Sequence, residues 1–162
     1  MAEIRPIDPE RHLDELATLI LDAHASNMAL GLRAPLDADR ARDAWRGRGD
    51  RVLLGAFAGE ALVGSVTLAR AHAENGRHRG EVQRLAVRTS HRGRGIGGAL
   101  LEAAIVRARA DGLTLLWLTT HADTDSDRFY VRRGWTRYGV VPGWAELPDG
   151  TLAANAFFYL AL

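Results

Sequence analysis

The run Arg92-Gly93-Arg94-Gly95-Ile96-Gly97-Gly98 alternates glycine with arginine directly ahead of an apolar segment. That pattern suits an anion. The glycines let successive backbone N–H groups turn inward, and a helix starting behind them adds roughly half a positive charge at its N-terminus. Arginine grips phosphate oxygens with a planar fork of donors. From Arg77 to Arg94 there are six arginines and two histidines against the single acid Glu81, a local basic patch on a chain of net charge +1. A small molecule carrying a di- or triphosphate is the economical ligand.

Two other phosphate grips fail. A dinucleotide loop of the G-x-G-x-x-G kind needs a strand running straight into the first glycine, and an acid about 20 residues on at a strand end. Here Arg88 to Arg92 intervene, and the next strand-like run ends at Thr119-Thr120. A Walker loop needs lysine, and all 21 basic residues are arginine. The same lack excludes Schiff-base chemistry, and the absence of cysteine excludes a thiol nucleophile and disulfides. The six histidines show no H-x-x-x-H spacing, so no metal is expected.

The elements that must position the loop follow from periodicity. Residues 2–8 read as a strand closed by Pro9. Leu13, Leu16, Ala17, Ile20, Leu21 and His24 recur at helical spacing within a helix predicted from Glu10 to about Leu30. Asp37 is the predicted N-cap of a short helix reaching Trp45. Residues 51–57 and 61–69 form a hairpin across Ala58-Gly59-Glu60. After a polar turn from His72 to Arg79, a strand covers Glu81–Val87. A helix then runs from Ile96 to Asp111 with Gly112 beyond its end. Further on come a strand at 113–120, a helix at 123–133 ended by Gly134, and strands at 135–141 and 152–160 around the turn Pro148-Asp149-Gly150. The class is α/β, a mixed sheet with helices on both faces, and 162 residues fit one domain, 1–162.

Composition is that of an ordinary globule, 47% hydrophobic and 25% charged. Near-neutral charge predicts no nucleic-acid partner, and no run of 18 apolar residues predicts no membrane span. MAEIRPIDPE lacks a basic patch followed by an apolar run, so no signal peptide is expected and the reading is cytoplasmic.

Three segments together resemble the GNAT N-acetyltransferases. Arg92-Gly93-Arg94-Gly95-Ile96-Gly97 fits that family's Q/R-x-x-G-x-G/A loop. Glu81-Val-Gln-Arg-Leu-Ala-Val87 fits its fourth strand, and Phe129-Tyr130-Val-Arg-Arg-Gly134-Trp135 fits its F-Y-x-x-x-G-F/W segment. Pro142-Gly143-Trp144 and Pro148-Asp149-Gly150 resemble the small-molecule branch that includes tabtoxin-resistance acetyltransferase. The resemblance implies a central, mostly antiparallel, twisted sheet of six to seven strands whose fourth and fifth strands splay. It implies acetyl-CoA as co-substrate, with its pyrophosphate on Arg92, Gly93, Arg94, Gly95, Ile96, Gly97 and Gly98. Leu85 and Val87 would offer backbone groups to the pantetheine arm, and the Leu85 N–H would meet the developing oxyanion.

Acetyl transfer to an amine raises two proton problems. An alkyl amine is only about one part in a thousand free base at pH 7, a barrier penalty of roughly 4 kcal/mol. Glu81 opens the strand that should carry the thioester and is the candidate base. Four residues separate it from Leu85, which predicts that both face one side of the strand. Tyr130, at the family's acid position, is the candidate donor to the departing thiolate. Related small-molecule enzymes often carry Asp where Thr119 stands, which leaves Glu81 to act alone or with His121. Asp123, Asp125 and Asp127 either attract a cationic amine or simply favour a helix N-terminus, the simpler reading. Ser26, Asn27, Met28, Arg33, Thr119 and Trp144 are the candidate acceptor contacts.

The expected activity is therefore acetylation of a small, amino-acid-like or antibiotic-like primary amine. Acetylation of protein amines and a non-catalytic CoA sensor are the alternatives. Paired C-terminal strands allow a homodimer.

Overall fold

The computed structural model describes residues 2–28, 30–46 and 50–162. One seven-stranded sheet organises them, in the order β1-β2-β3-β4-β5-β7-β6. Its strands are β1 (Glu3–Pro6), β2 (Arg51–Ala58), β3 (Ala61–Arg70), β4 (Arg79–Val87), β5 (Leu115–His121), β6 (Thr136–Glu146) and β7 (Leu152–Ala161). Every neighbouring pair is antiparallel except β4 with β5, which run parallel. The helices are α1 (Leu13–Ala25), α2 (Ala38–Asp43), α3 (Ile96–Ala110) and α4 (Asp125–Val131).

Helices cover both faces, as the patterning predicts. On one side α1 and α2 bury Leu16, Leu19, Ile20 and Trp45 against Leu53, Phe57 and Leu62. On the other, Leu100, Leu101 and Ala104 of α3 pack with Val66, Leu68, Val82, Leu116, Leu118 and Phe158. Gly64 of β3 permits that second contact. A Cβ there would stand 2.9 Å from the Ala86 carbonyl oxygen and 3.0 Å from Leu100.

Two boundaries differ from the sequence reading. A 3-10 turn, Pro9–His12, precedes α1, and the helix stops at Ala25 instead of reaching residue 30. The stop is a Schellman motif. Asn27 adopts the left-handed conformation (φ 57°), its N–H bonds the His24 carbonyl, and the Met28 N–H bonds the Ala23 carbonyl, each at 3.0 Å. The second difference is β6, which continues through Pro142 to Glu146 with a register irregularity between Val141 and Ala145. β6 ends the sheet, so a residue without an N–H costs no ladder bond on its open edge.

Candidate functional site

The ladder between β4 and β5 is short. Arg79, Gly80 and Glu81 pair with Leu115, Leu116 and Trp117, and then the strands part. β5 stays paired with β7 through His121, and β4 stays paired with β3 through Val87. The edge of β4 beyond Glu81 is left without a strand partner. An opening therefore runs from Glu81 toward the start of α3, the splay that the resemblance implies.

β4 also carries a bulge. Gln83 pairs with Thr67, but Ala86 pairs with Ser65, so Arg84 and Leu85 both oppose Val66. Arg84 has φ 49°, an uncommon conformation for a residue with a side chain. Its side chain is anchored: the guanidinium lies over the Trp45 ring, 5.1 Å from the centroid, and donates to the Ala44 carbonyl. The extra residue corrects one expectation. Glu81 and Gln83 face the α1–α2 side, whereas Leu85 packs against the core beneath α3. The four-residue spacing does not put Glu81 and Leu85 on one face, because a bulge resets the alternation.

Glu81 is half-buried, and Gln83 Nε2 donates to its Oε2 at 2.7 Å. Burial raises the proton affinity of the Glu81 carboxylate, and the Gln83 hydrogen bond opposes that in part. Tyr130 is 8% exposed. Its ring packs against Phe129, Trp135 and Phe158 at centroid distances of 5.1, 5.9 and 5.8 Å. Burial pushes its phenol well above the ordinary tyrosine range, so it holds its proton at neutral pH. Among the described residues, none hydrogen-bonds the Tyr130 hydroxyl.

Gly93 and Gly95 have φ 76° and 79°, and a Cβ at either would meet nothing within 4 Å. Backbone conformation, rather than crowding, is what calls for glycine there. Gly95 is the N-cap of α3, and no side chain caps that helix. The first-turn N–H groups of α3 are thus left for an anion.

The two arginines of the motif are already engaged by neighbouring groups. Arg92 donates through Nε to the Val87 carbonyl at 3.1 Å and lies 3.9 Å from Asp22 of α1. Asp22 also takes the Thr89 N–H and hydroxyl at 2.8 and 2.9 Å. Arg94 donates to the Ser90 carbonyl at 3.2 Å. Sequence reasoning passed over Arg132 and Arg133, which line the opening from the end of α4. Arg133 lies over the Phe129 ring at 3.8 Å, and a Cβ on Gly98 would collide with its guanidinium. Their signal was the Arg-Arg pair before Gly134.

A cleft of about 1430 Å³ joins these parts. Glu81, Leu85, Tyr130, Val87, Arg92, Gly93, Gly95, Ile96, Gly97 and Gly98 all line it, and so do Ser26, Asn27, Met28, Arg33, Thr119 and Trp144; Arg94 does not. At its far end the loop after α1 meets the β6–β7 hairpin. Asn27 Nδ2 donates to Asp149 at 2.9 Å, and Arg33 pairs with Glu146 at 3.4 Å. Trp144 stands edge-on to Phe157 at 4.9 Å.

Asn155 is a further lining residue that the sequence reading missed, although a lone amide within the apolar run of β7 was a visible signal. The acids near α4 serve the helix. Asp127 is buried, accepts the Asp123 N–H at 2.7 Å and pairs with Arg137 at 3.0 Å, while Asp125 pairs with Arg128 at 2.7 Å. Among the described residues, no group of three or more His, Asp or Glu side chains stands ready to hold a metal ion.

The model of the acetyltransferase (GNAT) family matches residues 13–135. Solved structures share the fold across the whole chain. One described provisionally as a phosphinothricin N-acetyltransferase is 19% identical, with TM-score 0.86, over 100% of this chain and 99% of its own. Ribosomal-protein-alanine N-acetyltransferase from Brucella melitensis is 22% identical, with TM-score 0.80, over 99% of each chain. The protein yncA from Salmonella typhimurium, solved with its cofactor acetyl-CoA, is 19% identical, with TM-score 0.82, over 99% of this chain and 94% of its own. Identities this low report shared architecture, and the first two names show one architecture serving very different acceptors.

Proposed function

The chain belongs to the acetyltransferase (GNAT) family, and from that premise we propose that it acetylates a primary amine of a small molecule by direct attack on acetyl-CoA in a ternary complex. Residues 1–162 act as one acetyltransferase domain in the cytoplasm. Among the described residues, no helix is long and apolar enough to cross a membrane.

Acetyl-CoA supplies the acetyl group as a thioester. The uncapped start of α3 and the main chain of residues 92–98 hold its pyrophosphate, aided by the side chains of Arg132 and Arg133 where the sequence reading relied on Arg94. The free edge of β4 at Leu85 and Val87 hydrogen-bonds its arm. The bulge interrupts the β3–β4 register at Arg84 and Leu85, and the Leu85 N–H would meet the carbonyl oxygen. Glu81 accepts the proton that the amine gives up as the C–N bond forms. Tyr130 donates toward the sulfur as the C–S bond breaks. A base whose proton affinity is raised by burial takes that proton more readily than an ordinary carboxylate, and a phenol that stays protonated is suited to donate.

One observation carries the reading. The β4–β5 ladder ends at Glu81 and Trp117, which puts the only carboxylate of β4 at the apex of an opening that leads to an uncapped helix. The bridges Asn27–Asp149 and Arg33–Glu146 span the outer end of the cleft and favour a small acceptor over a protein chain. Calorimetry with acetyl-CoA, followed by thiol release with a panel of small amines and peptides, tests this. Binding with turnover of small amines is expected; no heat with acetyl-CoA, or turnover of peptides alone, rejects it.

The exposed side chains Tyr138, Trp144, Leu152 and Tyr159 of the β6–β7 hairpin support a homodimer joined there. Sedimentation of a monomer at micromolar concentration would reject the dimer.

A further inference from the structure

β5 and β7 place His121 opposite Asn155, and Thr119 two residues back on the same face. Asn155 is 6% exposed, and both ends of its amide are engaged. Its Nδ2 donates to Thr119 Oγ1 at 3.0 Å, and its Oδ1 faces His121 Nδ1 at 2.9 Å. The direction of the chain sets the imidazole tautomer. With the amide nitrogen directed at Thr119, the oxygen faces His121 and can only accept, so in the neutral ring Nδ1 carries the proton and Nε2 keeps the lone pair. Among the described residues, none takes up that lone pair. The side chains of Thr119, His121 and Asn155 all line the cleft.

Position along the strand says what His121 can address. Trp117 is the residue opposite Glu81, and His121 lies four residues further along β5. At about 3.3 Å per residue that is about 13 Å. Proton transfer needs hydrogen-bond reach, about 3 Å. That separation favours separate roles for His121 and Glu81 over the option of the two sharing the amine proton. It stands over a different part of the acceptor.

We infer that His121 is a specificity-determining residue whose Nε2 accepts a hydrogen bond from a second donor on the acceptor, a hydroxyl or a second amine, roughly 10 Å from the nitrogen that is acetylated. Asn155 and Thr119 are positioning residues that hold the ring in the accepting tautomer. This rests on the small-amine reading above and narrows it: the preferred acceptors are elongated and bifunctional, with a hydrogen-bond donor at the end remote from the reacting amine.

The test compares hexylamine with its terminal amino alcohol and its terminal diamine, in thiol release from acetyl-CoA by the full chain. The amino alcohol and the diamine should each show a KM about tenfold below that of hexylamine, with similar kcat. His121→Phe should erase that advantage to within about twofold, read as the ratio of each KM to that of hexylamine in the same variant, and His121→Gln, which restores an acceptor oxygen, should recover part of it. An advantage confined to the diamine would assign the donor as an ammonium, and one shared by both would assign any donor. Equal KM for all three amines, or an advantage that survives in a well-folded His121→Phe protein, overturns the inference while leaving the small-amine reading in place. No thiol release with any of the three, in protein that binds acetyl-CoA, overturns both.

Discussion

The two ends of the cleft are built in opposite ways. The end proposed to hold phosphate is mostly one continuous stretch, residues 87 to 98, joined by Arg132 and Arg133, and it offers mainly main-chain groups: the bare first turn of α3 and two glycines at positive φ. The end proposed to take the acceptor draws side chains from five places: Asn27 and Arg33 from the loop after α1, Glu81 from β4, Thr119 and His121 from β5, Trp144 from β6 and Asn155 from β7. A ligand part common to a whole family can be held by backbone geometry, which tolerates drift in side chains. An acceptor peculiar to one enzyme must be read by side chains, and these change without disturbing the frame.

Substitutions at each end should separate along that line. The largest effect is expected at the apex. Glu81→Gln should lower kcat/KM by about 100-fold or more at neutral pH while acetyl-CoA affinity stays within about twofold. The deficit should shrink toward the amine's own pKa, near 10, where free base becomes plentiful. In the parent protein, activity should fall as pH drops through the Glu81 pKa. Burial raises that pKa, so this acid limb lies above the ordinary carboxylate range. A pH–rate profile checks both statements, and an unchanged acid limb in Glu81→Gln would remove Glu81 as the base.

Gly95→Val probes the phosphate end. A β-branched residue resists φ 79° although the site has room, so stability should fall by about 1–2 kcal/mol and acetyl-CoA affinity by about tenfold or more. Thermal melts and calorimetry measure the two. Unimpaired affinity would show that the main chain at the start of α3 is not the phosphate grip.

Tyr130→Phe should lower kcat by about tenfold with acetyl-CoA affinity unchanged. The melting temperature should hardly move, because the lost hydroxyl has no hydrogen-bond partner among the described residues. Unchanged turnover would leave Tyr130 a packing residue.

Gln83→Leu removes the one hydrogen bond that lowers the Glu81 pKa, so the acid limb should move to higher pH. A stationary limb would mean that Gln83 does not tune the base.

The smallest effect belongs to Arg33→Ala. An ion pair whose arginine is largely exposed is worth about 1 kcal/mol or less, so acceptor KM should change only a few-fold and acetyl-CoA binding not at all. A large change in acetyl-CoA affinity would break the division between the two ends.

Much of the frame is visible in the chain. The hairpin at Gly59, the Gly112 terminus of α3 and the Asp37 cap all appear where local chemistry puts them. Asp37 accepts the Arg40 N–H at 2.8 Å. Misreadings cluster where a second element intervenes. The early end of α1 depends on Asn27 adopting the left-handed conformation, and the face swap between Glu81 and Leu85 depends on one extra residue in β4 against β3. The direction of Arg92 depends on Asp22 of a helix about 70 positions away in the chain.

The amino-acid order by itself determined the glycine loop and the helix start on which the proposed anion grip rests, because glycine conformations and a helix start are properties of neighbouring residues. It also determined which chemistries are impossible, since a missing lysine or cysteine needs no fold to be missing. Only the tertiary structure decided where β4 and β5 part and which way Glu81 faces. It alone decided that Asn155 meets both His121 and Thr119 in the cleft. Those depend on strand pairing between distant segments, and register is settled when whole faces are buried, not residue by residue.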